Sequence, residues 1–367
     1  MAVRTFGSND PLTNKLYAKM LAVESITQTY VRKFMGSGPN SLIQVRNDTQ
    51  KNAGDRITIG LRVKLTGAGV LGGNTLEGNE EAFVTNDDSI IINKLRHAAR
   101  VKGQRTIEQQ RVPFDLRYEA LDDLSQWWGN QQDLWAANQL TGNTAQTDVR
   151  FTGLQATVAP DANHILRPTG AATDQATAGA GAFEFNLTAI DVAVERAKTL
   201  EPLIRPIRIM GQMFYVCFIH PEQVTDLRTT AQDTGTWYDI QARALSGGEI
   251  SRNPIFSGAL GVYNQTILHE WERLPNGVDV TGAPVAVANT RRALFCGAQS
   301  AWAAFGQGFG PGRFNWVEKL FDYDEELGVS AGCIGGLKKS RFNGADFGTI
   351  AITTRAVANT TFVGSGT

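Results

Sequence analysis

The stretch Asp55-Arg56-Ile57-Thr58-Ile59-Gly60-Leu61-Arg62-Val63-Lys64-Leu65 decides how the rest of the chain is read. Apolar residues at 57, 59, 61, 63 and 65 alternate with Arg56, Thr58, Arg62 and Lys64, the period-two pattern of a strand with one wet face. Glycines at 67, 69, 72, 73 and 78 interrupt it, and a second extended run over 89–101 carries Ile90, Ile91, Ile92, Leu95 and Val101. Paired as a hairpin with arms of ~20 residues, the two runs reach roughly 65 Å, against a radius of gyration of roughly 21 Å for a compact globule of this length. An isolated two-stranded ribbon is marginal in water and its open edges template further pairing. The pattern therefore reads either as an arm completed by a neighbour or as shorter strands of an ordinary sheet.

Downstream of the ribbon lies a long amphipathic helix. Pro113 and Asp115 mark its start, and Leu116, Ala120, Leu121, Leu124, Trp127, Trp128, Leu134 and Trp135 form a broad apolar stripe over 115–140. Upstream, Leu16, Met20, Val23 and Tyr30 predict a helix within 12–34, stopped by Gly36-Ser37-Gly38-Pro39. Residues 141–183, rich in Thr, Ala, Gly, Gln and Asn, read as a weakly structured surface loop or insertion. Beyond it come a helix from Asn186, a buried strand over 213–219, a helix opened by His220-Pro221, and a set of short strands ending in 349–354. The order is mixed α and β, an α+β chain.

Composition narrows the function classes. The 367 residues hold 35 Lys and Arg against 36 Asp and Glu, a balance that argues against a dedicated nucleic-acid binder relying on phosphate neutralisation. No apolar run approaches the ~18 residues that span a bilayer, and the first residues lack the apolar core of a signal peptide. Cys217, Cys296 and Cys333 are odd in number and far apart, and read as buried free thiols.

The search for catalytic chemistry returns little. Gly67-Ala68-Gly69-Val70-Leu71-Gly72 fits the dinucleotide fingerprint in letters, but Gly73-Asn74-Thr75-Leu76-Glu77-Gly78 is a poor helix start, so a hairpin tip is the better reading. No Gly-Lys dipeptide forms a phosphate loop. His97, His164, His220 and His269 are not spaced for zinc, and acidic pairs such as Asp87-Asp88 read as solvated or inter-subunit charge. The residues point to no enzyme, no cofactor and no metal, and an assembly subunit explains them better.

Four segments carry a family likeness: Asn52-Ala53-Gly54-Asp55-Arg56-Ile57-Thr58, Leu76-Glu77-Gly78-Asn79-Glu80-Glu81, Gln110-Arg111-Val112-Pro113-Phe114-Asp115, and Lys338-Lys339-Ser340-Arg341-Phe342-Asn343 with Asp346-Phe347-Gly348. Together, in this order from about residue 10 to 356, they resemble the major capsid proteins of tailed double-stranded DNA phages, in the branch typified by the coliphage N-four capsid protein. The resemblance implies the Hong Kong 97-type fold: an N-terminal arm (1–45), an extended E-loop hairpin (46–112), a peripheral domain with a spine helix (113–200, with 141–183 inserted), an axial domain (201–309) and a return to the peripheral domain (310–367). It further implies hexamers and pentamers closing an icosahedral shell around double-stranded DNA without sequence-specific binding, inside the host bacterial cytoplasm. Portal, a possible decoration protein and, because the chain enters its arm almost at once, a separate scaffolding protein complete the expected partners. The E-loop residues expected to touch a neighbour are Ile57, Ile59, Leu61 and Val63, with Arg56, Arg62, Lys64, Glu80 and Glu81 supplying charge; Lys64 lies where some capsids of this fold cross-link. An encapsulin-like compartment subunit is the rival reading within the same fold.

Overall fold

The structure, a computed structural model, describes residues 20–21, 24, 29–46, 54–62, 65, 67–102, 110–111, 113, 115–168, 171–179, 183–209, 211–229, 259–306, 314–323 and 325–358. Most of the helix expected within 12–34 falls outside them; its end is a 3-10 turn at Tyr30–Phe34.

Two sheets and one long helix organise the chain. Helix α1 (Leu116–Thr141) has 26 residues, about 39 Å of rod. Asp115 caps its start by accepting from the Arg117 amide at 2.9 Å, and Gly142 ends it in the left-handed region at φ 64°. Its apolar side, with Leu121, Leu124, Trp128 and Trp135, packs on the first sheet.

That sheet runs in the order β1 (Met35–Gly36), β2 (Ile43–Arg46), β14 (Ala301–Phe305), β16 (Glu326–Lys339) and β15 (Asn315–Phe321), while β5 (Asn93–Lys102) lies along the other side of β16. Alternation sorts its faces. Leu327, Val329, Ala331 and Cys333 of β16, and Trp316 of β15, point into the core with α1, whereas Gly328 and Ser330 are only half-buried.

The second sheet has the order β6 (Ile165–Leu166), β19 (Thr349–Arg355), β13 (Thr290–Cys296), β8 (Gln212–Ile219), β10 (Thr266–Glu270) and β9 (Ala259–Tyr263), with β7 (Ile207–Ile209) also on β8. Strand β8 is buried on both faces: Val216 and Phe218 join the core shared with α1, and Tyr215, Cys217 and Ile219 join a second core. That second core is closed by Ile190, Val194 and Ala197, which lie on the helix Leu187–Thr199, and by Val224 and Leu227 on the helix Pro221–Thr229. All three cysteines are free and buried, and burial pushes the Cys217 thiol up to about 12.

One extended run divides between two sheets. The run over 89–101 is not one strand: the chain switches sheets at Ile92, because Leu95, Ala99 and Val101 of β5 find the α1 core while the residues before them pair with β3 (Arg56–Arg62). Within 46–112, the described strands β3 and β4 (Thr85–Ile91) form the ribbon and β5 joins the first sheet. Residues 201–309 do not close a sheet by themselves, since β6 and β19 complete the second sheet and β14 belongs to the first.

The stretch 141–183 is also no weakly structured loop. Side chains of α1 hold its first part by hydrogen bonds to backbone carbonyls: Trp135 Nε1 to Arg150 O at 2.6 Å, Asn138 Nδ2 to Phe151 O at 2.9 Å and Gln139 Nε2 to Thr152 O at 2.5 Å. Its later part buries His164, Leu166, Asp174 and Thr177. Satisfying carbonyls with polar side chains lets an irregular segment be buried at little cost.

Candidate assembly surface

Strand β3 pairs antiparallel with β4 (Thr85–Ile91), seven residues on each arm, from Arg56 opposite Ile91 to Arg62 opposite Thr85. One face of this ribbon carries Ile57, Ile59, Leu61, Ile90 and Asp88; the other carries Arg56, Arg62 and Asp87.

The apolar face is covered by the chain itself. Ile57, Ile59 and Ile90 pack with Trp302, Ala304, Phe342 and Phe347, and Leu61 is partly buried against them. Ile57 and Ile59, named as residues to meet a neighbour, are 5% exposed each within the single chain. The reason is the seat that β14 and the short strand β17 (Arg341–Phe342, paired with β18, Ala345–Asp346) present beneath the ribbon.

Asp88 locks the ribbon to that seat. Its carboxylate accepts from Lys338 Nζ and, at 3.1 Å, from the Arg341 amide, while the same Lys338 ammonium donates to Ser89 O at 2.8 Å. Sequence reading placed Asp88 among solvated or inter-subunit charges, whereas it is buried within its own chain. The signal that could have found it is its parity, since 88 and 90 share the ribbon's inward face. Gly336 permits the close approach at the ribbon's foot: a Cβ there would sit 2.4 Å from Ile91 O.

Beyond Arg62 and Thr85 the character inverts. Leu65, Leu71, Leu76, Phe83 and Val84 are exposed, Leu71 by 87% and Phe83 by 63%. These residues, not Ile57 and Ile59, form the uncovered apolar surface, and sequence reading missed them because the glycines among them break any period. The tip is ordered by its own acids: Glu81 Oε2 accepts from the Gly67 amide at 2.6 Å, Glu80 Oε2 from the Gly78 amide at 2.7 Å, and Arg62 lies 5.3 Å from the Phe83 ring. Arg56 is exposed. Val63 and Lys64 lie outside the described residues.

Among the described residues no group of His, Cys, Asp and Glu could hold a metal ion, and no helix is long and apolar enough to cross a membrane.

A spine helix on a mixed sheet, with an anchored ribbon whose apolar tip is left uncovered, defines a shell-forming subunit of the Hong Kong 97 type. The chain belongs to the phage capsid protein family, matching it over residues 5–358. It is 29% identical over 363 residues to the major capsid protein of Pseudomonas phage KPP25, covering 88% of this chain and 90% of that one. The capsid of Ralstonia phage GP4 superposes with a TM-score of 0.76 at 28% identity, covering 97% of this chain and 96% of the other. The capsid subunit of cyanophage Pam1 shares the fold at a TM-score of 0.68 and 20% identity, over 91% and 94% of the two chains. The protein is a phage major capsid protein that assembles with its own copies into a shell, and the compartment-subunit reading yields to this family membership.

Proposed function

We propose that this chain forms hexamers and pentamers of an icosahedral capsid enclosing double-stranded DNA, acting by assembly rather than catalysis, with each ribbon tip clasping an adjacent copy. The observation that carries the clasp is the division of the ribbon into a sealed foot and an exposed apolar tip. Apolar surface of this kind on an otherwise well-packed chain marks an interaction site, and identical subunits bury it by symmetry. Residues 113–200 and 310–367 form the peripheral part around α1, and 201–309 supplies most of the axial part near the capsomer centre. A separate scaffolding protein, a portal and a decoration protein are the further partners, with assembly in the host bacterial cytoplasm.

Removing 66–83 and joining the arms with a short turn tests the clasp. The expected product is folded, with an unchanged thermal midpoint, and gives no shells by negative-stain microscopy where the full chain gives them. Shells of normal yield from the shortened chain would refute the clasp.

A further inference from the structure

We propose that Lys339 and Asp346 condense within the folded chain to an amide, a covalent tie across the base of the hairpin on which the ribbon foot rests. Lys339 ends β16 and Asp346 ends β18, and between them the chain turns at Asn343 and Gly344, both left-handed at φ 50° and 79°. The ladder pairs Arg341 with Asp346 and Phe342 with Ala345, and the Asp346 amide donates to Asp161 Oδ2 at 2.8 Å. Both backbones are therefore fixed before the side chains meet. Lys339 Nζ lies 2.7 Å from Asp346 Oδ2, one bond away from the carbon it attacks.

Three features of the pair fit an amide better than two ions. Both side chains are sealed, Lys339 at 2% exposure and Asp346 at 1%. The ammonium has three protons to donate, yet its bond to Asp346 is the one hydrogen bond it makes among the described residues. Asp346 Oδ1 is buried and makes none, because Arg341 Nε, though 3.0 Å away, is not aimed at it. Condensation removes both buried charges, two of the three nitrogen protons with the remaining surplus, and the oxygen that has no partner. Ions are held apart from amide formation in water by their hydration, and this site withholds that hydration.

The step balances without a further reactant. Lys339 passes one proton to the Asp346 carboxylate, and burial favours this transfer by pushing the ammonium down and the carboxyl up. The freed Nζ lone pair forms a bond to Cγ. The tetrahedral intermediate then breaks one Cγ–O bond, and that hydroxyl leaves as water with a second proton from nitrogen. One N–H and one C=O remain, and nothing is oxidised or reduced. The tie closes the hairpin whose Phe342 packs with Ile57 and Ile59 and whose Arg341 amide holds Asp88, so tension on the ribbon passes into covalent bonds.

Mass spectrometry of the full chain, unfolded in denaturant, tests the tie. The expected mass lies below that of the polypeptide by one water. Trypsin is expected to release a branched peptide joining 339–341 to 342–355, because an acylated Lys339 resists cleavage. Lys339→Met and Asp346→Ala are each expected to show no water loss. A wild-type chain of full mass overturns the proposal, and so does a water loss that maps to any other pair of residues. Shell formation does not enter these readouts, so the capsid reading stands or falls separately.

Discussion

Arg292 donates to Asp174 at 2.7 Å from Nη2 and 3.1 Å from Nε, and both side chains are sealed from solvent. The same guanidinium donates through Nη1 to Thr141 O and Gly142 O at 3.1 and 3.0 Å, so it caps the last carbonyls of the spine helix with a positive charge. Arg167 Nε at 2.7 Å and the Val278 amide at 2.8 Å complete the shell around the carboxylate. One buried ion pair thus ties the end of α1, the stretch 141–183, the second sheet and the short β11 (Gly277–Asp279) together.

Removing one partner of such a pair strands the other. Burial alone would raise the Asp174 pKa, but Arg292, the Val278 amide and Arg167 together hold it below the ordinary carboxylate range. Asp174→Ala leaves the buried Arg292 charge without its carboxylate, with only the Thr141 and Gly142 carbonyls to receive it, and is expected to cost ~3–5 kcal/mol in denaturant unfolding. A loss under ~1 kcal/mol would show that solvent reaches the site. Because the folded pKa is depressed, the pair's contribution is present above the unfolded carboxylate pKa and is lost as pH falls through the folded one.

Asp133 carries the opposite sign. Its carboxylate on α1 accepts from the Tyr30 and Val31 amides, each at 3.0 Å, pinning the 3-10 turn Tyr30–Phe34 to the helix. Burial raises its pKa from 3.8 to about 6, outweighing the two amides. The folded state therefore holds the proton longer than the unfolded state, and this group's contribution is full below pH ~4 and declines as pH rises through ~6. Asp133→Asn removes the titration, so the wild-type minus variant unfolding free energy should fall by up to ~2 kcal/mol between pH 4 and pH 7. A difference that stays flat across that range would sink the assignment.

The ribbon foot has its own test. Asp88→Ala deprives Lys338 and the Arg341 amide of their acceptor. Amide hydrogen exchange over 56–62 and 85–91 should quicken by ~1–3 kcal/mol of lost protection, while protection in α1 holds. Equal loss in both regions would mean that the ribbon is one cooperative unit with the core.

Much of the scaffold was legible from local chemistry. Asp115 and Asn186 announced their helices because a side-chain oxygen next to an apolar period satisfies orphan amides. Pro221 and the run over 213–219 were equally plain. What escaped depends on pairing between distant residues. Nothing local in 89–101 says that one half pairs with β3 and the other with β16. The polar face of α1 escapes for the same reason, since nothing local to Gln131, Asn138 and Gln139 says that the carbonyls of 150–155 lie against them. At the ribbon, the glycines marked 67–78 as a hairpin tip, but neither the exposure of Leu71, Leu76 and Phe83 nor the burial of Asp88 is written in local sequence.

Gly153 offers a final check on how tightly 141–183 is built in. It sits at φ 74°, and a Cβ there would lie 2.3 Å from Leu337 O, while the Leu337 amide donates to Gly153 O at 3.0 Å. Both the left-handed backbone and the contact with β16 demand glycine. Gly153→Ala is expected to cost at least ~2 kcal/mol in thermal or denaturant unfolding, from strain plus a displaced strand. Gly73→Ala, on the tip with open space around it, should cost under ~0.5 kcal/mol. Equal effects at the two positions would mean that the segment does not press on β16, and the burial of Leu154, His164 and Asp174 would then need another support.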